Sequence, residues 1–477
     1  MQNPTEPKVP SAGARPLPSS PPEAWEPLLH LSRLARRPLD RFLRIEASSG
    51  ILLLVFSAIA LLWANSPFRD DYTQLWDTPM GIRLGEFEFE RSLAWVVNDG
   101  LMVIFFFVVG MEIRREVHHG ELSELRRASL PLAGALGGML VPAGLYLAFA
   151  GGPETHSGWG VPMATDIAFA IGILTLLGKR VPPALRVLLL AVAVIDDLGA
   201  IMVIAIFYSS GVALAGFGVA AAGLAALFAM QRLGIRNKLA YVVPGVIVWA
   251  GIYSAGVHPT IAGVILGVMT PVRAWLGPEG FIRGVREDLD ILSRTPVEAL
   301  STHAFASVLQ HVDDARREAL SPAESLIETL HPWVAYGIMP VFALANAGVH
   351  IEAGALTASA WTAGLGVSIG LLVGKPLGIV LFSAITLRLG IAKLPQGMTM
   401  SHILVLGMVS GVGFTMALFI APLAFSDAAL LSAAKLGVLV ASGLAAVLSL
   451  VLGRLLLKEY GPEAAASADE AESSTEK

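Results

Sequence analysis

Long apolar runs alternate with short polar connections along most of this chain. Taking roughly 20 residues as the length that crosses a bilayer's hydrocarbon core, twelve runs predict twelve helices: Ala47–Asn65, Leu93–Met111, Leu130–Ala150, Gly160–Leu177, Ala184–Tyr208, Val212–Met230, Leu239–Ser254, His258–Val272, Pro332–Ala347, Trp361–Leu387, Ile403–Ile420 and Leu430–Leu457. The seventh and eighth are short and nearly contiguous, so a single long bent span is the alternative. The basic residues decide between them, because short loops rich in Lys and Arg stay cytoplasmic. With twelve spans, Arg33, Arg36, Arg37, Arg41 and Arg44, then Arg114, Arg115, Arg126 and Arg127, Lys179 and Arg180, Arg232, Arg236 and Lys238, Arg388 and Lys393, and Arg454 and Lys458 all fall on one side. The other side holds only Arg69, Arg83 and Arg91 in one long loop. Both termini are therefore expected in the cytoplasm.

The chain divides into a polar Pro/Ser/Ala-rich tail over 1–46, a membrane domain over 47–457 and an acidic tail over 458–477. Neither tail carries enough apolar surface to order itself. Two connections are long. Residues 67–91, on the external side, contain a two-residue rhythm of Ile82, Leu84, Phe87 and Phe89 around Gly85, which predicts a β-hairpin. Residues 273–330, on the cytoplasmic side, form a charged insertion, within which Phe305 to Leu320 has the apolar spacing of a surface helix. Composition agrees with a membrane class: 55% of the 477 residues are apolar and 15% charged, with a net charge of −5. Nothing points to nucleic acid, and the absence of cysteine excludes disulfides, thiolate nucleophiles and zinc–thiolate sites.

Against this background, charges inside the apolar runs stand out, since each costs at least about 2.5–3.5 kcal/mol near the bilayer centre. Asp196 and Asp197 sit midway along LLLAVAVIDDLGAIMVIAIF. Adjacent helical positions diverge by about 100°, so one carboxylate can face a cavity while the other faces a neighbouring helix. Asp166 follows Thr165 and Pro162 in GWGVPMATDIAFAIG, a grouping that favours a broken helix. Lys375, in GLLVGKPLGIVLF, offers a positive partner. Closed ion pairs bracing a bundle would explain any one of these residues. Three carboxylates against one amine leave an excess negative charge that only cations or protons neutralise. Carboxylate, hydroxyl and carbonyl oxygens suit hard cations, so sodium, lithium and protons fit Asp197, Asp196, Asp166 and Thr165. Desolvation favours the protonated carboxyl and a nearby cation the ionised one, and that competition is antiport chemistry.

Weaker candidates are Asp99 in WVVNDGLM, as pathway lining or packing, and Glu112 and Glu116 beside His118 and His119 in GMEIRREVHHG, as a pH-responsive cluster or a solvated basic loop. His258 and the pair Glu328 and His331 stand between the same two readings. The glycine pairs Gly134/Gly138, Gly263/Gly267 and Gly370/Gly374 predict close helix packing. GLLVGKP is one residue short of a phosphate-binding loop and has Pro376 where a hydroxyl would hold magnesium, so no ATPase is implied.

The segments WVVNDGLMVIFFFVVGMEIRREV, ATDIAFAIGIL, VIDDLGAI, SAGVHPTIAGVILG, LHPWVAYGIMPVFALANAGV, GKPLGI and GVGFTMALFIA resemble the NhaA-type sodium/proton antiporters over about Ala47 to Leu457. The resemblance implies an all-α membrane fold of about twelve transmembrane helices with inverted repeats, and two broken helices crossing at Thr165–Asp166 and at Gly411 and Gly413. It further implies that Asp197 is the main sodium ligand, that Asp196 exchanges protons and pairs with Lys375, and that Asp166 and Lys375 compensate the opposed half-helix ends. Asp99, Glu112, Glu116, His258, Glu328 and His331 match positions tied to the ion funnel or pH response, and the hairpin at 81–90 matches a homodimer contact. The expected protein is a cofactor-free, non-enzymatic transporter of a bacterial inner membrane that exchanges Na+, and Li+, for protons electrogenically. Thr329, where relatives can carry histidine, and the long insertion depart from that pattern and bear on pH sensing. A coupled symporter of a small organic anion or a passive cation channel is the rival reading. An intramembrane aspartyl protease would want a GxGD run that this chain lacks.

Overall fold

The computed structural model describes residues 48–458 apart from 86, 210, 212, 236, 295–300, 351–356 and 396. Both predicted tails (all but Lys458) and Arg236 lie outside the described residues. The described chain is a helical bundle. Its helices are α1 (Ser48–Ala64), α2 (Arg69–Asp77), α3 (Met102–His119), α4 (Leu125–Ala150), α5 (Ile167–Leu177), α6 (Pro183–Phe207), α7 (Leu214–Arg232), α8 (Val242–Ser254) and α9 (Thr260–Met269). They continue as α10 (Gly277–Arg294), α11 (Thr302–Ala319), α12 (Pro322–Trp333), α13 (Met339–Asn346), α14 (Ala358–Ile369), α15 (Lys375–Arg388), α16 (Met400–Ser410), α17 (Phe414–Ala424) and α18 (Ala428–Leu456). Among the described residues six helices are long and apolar enough to cross a membrane, or up to nine if each of three bent pairs is one span. That count is lower than the twelve apolar runs, since α8 and α9 are short and α12 begins with polar residues.

Starts and stops follow local chemistry. Pro183 and Pro322 occupy first-turn positions that need no N–H. Asp427 caps α18 by accepting from the Ala429 and Leu430 amides, and Ser321 forms a reciprocal capping box with Glu324 at α12. Glycines set how near the helices approach. A Cβ on Gly437 would stand 2.4 Å from the Gly364 carbonyl oxygen, and one on Gly263 would stand 2.3 Å from that of Val103. The same holds for Gly267 against Phe107, Gly370 against Pro162 and Gly374 against Pro142, as the glycine pairs predict. Gly134 is looser, 3.4 Å from Val192.

The predicted hairpin is present as β1 (Pro79–Leu84) and β2 (Phe87–Ser92), antiparallel with Leu84 opposite Phe87 and Gly81 opposite Glu90. A two-residue turn of this kind requires positive φ, and Gly85 supplies it with a φ of 62°. Arg83 and Glu88 form an ion pair across the strands. Beside the hairpin, α2 is pinned by Tyr72, whose hydroxyl donates to the Leu344 (2.8 Å) and Ala345 (3.2 Å) carbonyls at the end of α13. Burial pushes that phenol up to about 12.

Among the described residues the insertion holds α10, α11 and the first turns of α12. The expected surface helix is α11; α10, not predicted although Phe281, Ile282, Val285, Leu289 and Leu292 have helical spacing, packs against it. A second departure is a set of π-helical turns at Val96–Leu101, Val334–Ile338 and Gly370–Gly374, each inside an apolar run. Such turns rotate the side chains beyond them and recur at functional sites.

Candidate ion site

Asp196 and Asp197 lie at the middle of α6 and are 1% and 2% exposed. Asp196 Oδ2 accepts from Lys375 Nζ at 2.5 Å and from Thr165 Oγ1 at 2.7 Å. Lys375 is wholly buried; it opens α15 directly after the Gly370–Gly374 π turn and also donates to the Met163 carbonyl. Asp196 and Lys375 thus form a buried ion pair.

Two interrupted helices cross beside this pair. The turn His156–Met163 and α5 are bent by 41° around Ala164–Asp166, and α16 and α17 by 49° around Gly411–Gly413. The breaks touch, since the Asp166 amide donates to the Val412 carbonyl at 2.8 Å. A helix that stops mid-bundle leaves unpaired N–H groups at one end and carbonyls at the other, with partial charges to match. The Asp166 carboxylate serves both N-termini, accepting from the Phe169 amide (3.0 Å), the Thr415 amide (3.1 Å) and Thr415 Oγ1 (2.5 Å). At the C-terminal ends Lys375 binds the Met163 carbonyl, and Thr165 Oγ1 lies 3.1 Å from that of Ser410. Gly411 and Gly413 keep negative φ, so their need for glycine is space: a Cβ would fall 2.7 Å from the Leu371 carbonyl oxygen at one and 2.7 Å from the Leu371 side chain at the other.

Four buried oxygens in this region lack a hydrogen-bond partner among the described residues: Asp196 Oδ1, both oxygens of Asp197 and the Ser410 hydroxyl. A bare carboxylate in such a medium carries a cost of several kcal/mol, which a proton or a cation removes. Asp197 therefore offers two free oxygens within electrostatic reach of Asp196. No three His, Asp or Glu side chains converge as a resident metal would require, among the described residues.

The remaining candidates separate. Asp99, within a π turn, meets His258 at 3.3 Å from Oδ1 to Nε2. The second ring nitrogen of His258 faces Thr260 Oγ1 at 2.8 Å, and the ring stands edge-on to Phe419 of α17. These two residues, separate in the sequence, form one unit touching a broken helix. Glu112 is half-buried within electrostatic reach of Asp197. Glu116 instead accepts from the Glu121 amide at 2.7 Å and stabilises the turn after α3. Glu328 and His331 are exposed on α12, and no described hydrogen bond or ion pair joins them to Glu112 or Glu116. Sequence reasoning missed Thr415, Ser410 and Ser442, the last of which accepts from the Phe414 amide at 3.1 Å. Hydroxyls flanking a Gly-Val-Gly run within an apolar stretch were the available signal.

The family model described as Na+/H+ antiporter 1 matches residues 40–452. The Na(+)/H(+) antiporter NhaA 2 of Myxococcus xanthus is 68% identical over 456 residues, covering 95% of this chain and 97% of that protein. A protein of the same name from Sorangium cellulosum is 53% identical, covering 97% and 100%, and the Na(+)/H(+) antiporter NhaA of Janthinobacterium sp. is 47% identical, covering 91% and 96%. With a match across most of its length and relatives at this identity, the chain belongs to the Na+/H+ antiporter 1 family.

Proposed function

We propose that this multi-pass membrane protein exchanges Na+, and Li+, for protons by alternating them at Asp197 and Asp196. The observation that carries the reading is the pair of buried, partnerless Asp197 oxygens beside the Asp196–Lys375 ion pair. Sodium held by Asp197, Asp196 and Thr165 satisfies the carboxylates and draws Asp196 from Lys375. Protons on the two carboxyls cancel the charge that holds sodium. One site thus serves either cargo and never both, which is the requirement for exchange. Two protons against one sodium make the cycle electrogenic. The crossing of two broken helices supports an inverted-repeat architecture of twelve spans, in which the halves rock about the crossing. The distribution of basic loops supports cytoplasmic termini, and the proposed location is a bacterial inner membrane. Glu112, with Asp99 and His258 on the other side of the site, is the proposed pathway and pH-responsive set, joined by Glu116, Glu328 and His331 at the cytoplasmic mouth. The 79–92 hairpin is the proposed homodimer contact.

Proteoliposomes loaded with a pH-sensitive dye test this. Adding sodium outside is expected to alkalinise the lumen, as the dye reads it, only when Asp196 and Asp197 are intact. Proton movement that follows an organic anion, or that needs no sodium, would replace antiport with symport or leak.

A further inference from the structure

The helical hairpin of the insertion has one apolar face that no described part of the bundle covers. The Leu276 amide donates to the Glu318 carbonyl at 3.1 Å, so the start of α10 meets the end of α11 and the two run antiparallel. Their seam is Phe281, Val285, Asp288 and Leu292 against Val308, Val312, Ala315 and Ala319, all half-buried or buried. At about 100° per residue, Ile282 and Leu289 lie about a quarter turn from the seam on α10, and Phe305 and Leu309 lie on the same rotational side of α11. Equal rotation on antiparallel helices brings the two pairs onto one face. All four are large apolar side chains, 55%, 57%, 43% and 52% exposed.

We infer that this face rests on the membrane surface, with the acyl-chain boundary of the surrounding phospholipid as its occupant. Three observations favour lipid. The hairpin leaves the bundle within eight residues of the apolar α9, which ends at Met269, and returns to it at α12, which begins at Pro322. At its base stands Trp275, 57% exposed, and an amphipathic ring suits the headgroup level. Charge is also sorted: Arg286 borders the apolar face and Arg316 continues it toward the end of α11, where guanidinium groups reach lipid phosphates while their stems stay apolar. Asp313, nearby, is paired with Arg316 (2.9 Å) and Arg317 (2.7 Å), whose hydrogen bonds and charges hold its carboxyl below the usual range. Glu287, Asp314 and Glu318 lie on the opposite, water-facing side by the same rotation. Lying flat, α10 covers about 27 Å of membrane surface beside the bundle, at the rise of an α-helix.

The chain has no cysteine, so single-site labelling is direct. The full-length Leu289→Cys, Phe305→Cys and Glu287→Cys variants, each labelled with an environment-sensitive fluorophore, are reconstituted singly into phosphatidylcholine/phosphatidylglycerol nanodiscs. Probes at 289 and 305 are expected to be quenched by headgroup-borne nitroxide and shielded several-fold from aqueous iodide, with the 287 probe showing the reverse. Equal iodide quenching at all three sites overturns the inference. Shielding at 289 and 305 that occurs only in discs holding two chains overturns it as well, assigning the face to a second copy.

Discussion

Removing the Lys375 amine isolates the electrostatic core of the site. Lys375→Met keeps the apolar stem but leaves Asp196, 1% exposed, with the Thr165 hydroxyl as its sole described donor and no countercharge. Breaking a buried pair from one side costs about 3–5 kcal/mol, part of which the carboxyl recovers by taking up a proton. Asp196→Asn strands the ammonium in the same way, although the Met163 carbonyl still accepts from it. The double variant Asp196→Asn/Lys375→Met removes both charges at similar volume, and such replacements are roughly neutral. At about 2–4 °C per kcal/mol for chains of some 200 residues, and somewhat less for this longer one, each single variant should melt on the order of 5–10 °C below the parent. The double variant should return to within a few degrees. Tryptophan-fluorescence melting in detergent at one scan rate reads all four proteins, and the double-mutant cycle gives the coupling. A double variant as unstable as the two singles added together would show the opposite, a pair that is incidental to the fold of the crossing.

Three further outcomes follow from particular contacts. Thr415→Val removes one of the donors to Asp166 and should cost about 1.5–3 kcal/mol, the range for a hydrogen bond to a charged group, while Thr415→Ser keeps it; melting of the two variants checks this. Gly437→Val pushes a side chain into the Gly364 carbonyl and should separate α14 from α18, lowering the yield of folded protein in size-exclusion chromatography. Tyr72→Phe loses the contacts to Leu344 and Ala345, at about 1 kcal/mol. Because the Tyr72 phenol is held up at about 12 from 10.0, its contribution is complete below pH 10 and is lost as pH rises from there through 12. The melting difference between parent and Tyr72→Phe should narrow across that window.

What could be read from the sequence depended on how each feature announces itself. Asp196 and Asp197 are conspicuous because apolar residues surround them on both sides, and Gly85 marks the hairpin turn by its chemistry. The π turns were hidden, since an extra residue per turn leaves an apolar run apolar. α10 was legible, although not predicted: Phe281, Ile282, Val285, Leu289 and Leu292 recur at helical spacing, with Asp288 the one charge in the seam. The pairing of Asp99 with His258 comes from two distant elements, and neither run carries a trace of the other. The bond from the Glu121 amide to Glu116 is likewise invisible in the sequence, where Glu116 reads only as one member of a titratable cluster.

Whether one buried site holds either sodium or protons can be read from the binding of radioactive sodium to the purified protein across pH. Sodium binding should weaken steadily as pH falls and should vanish in Asp197→Asn at every pH. Binding that is independent of pH, or that survives in Asp197→Asn, would rule out competition between the two cargoes at Asp197.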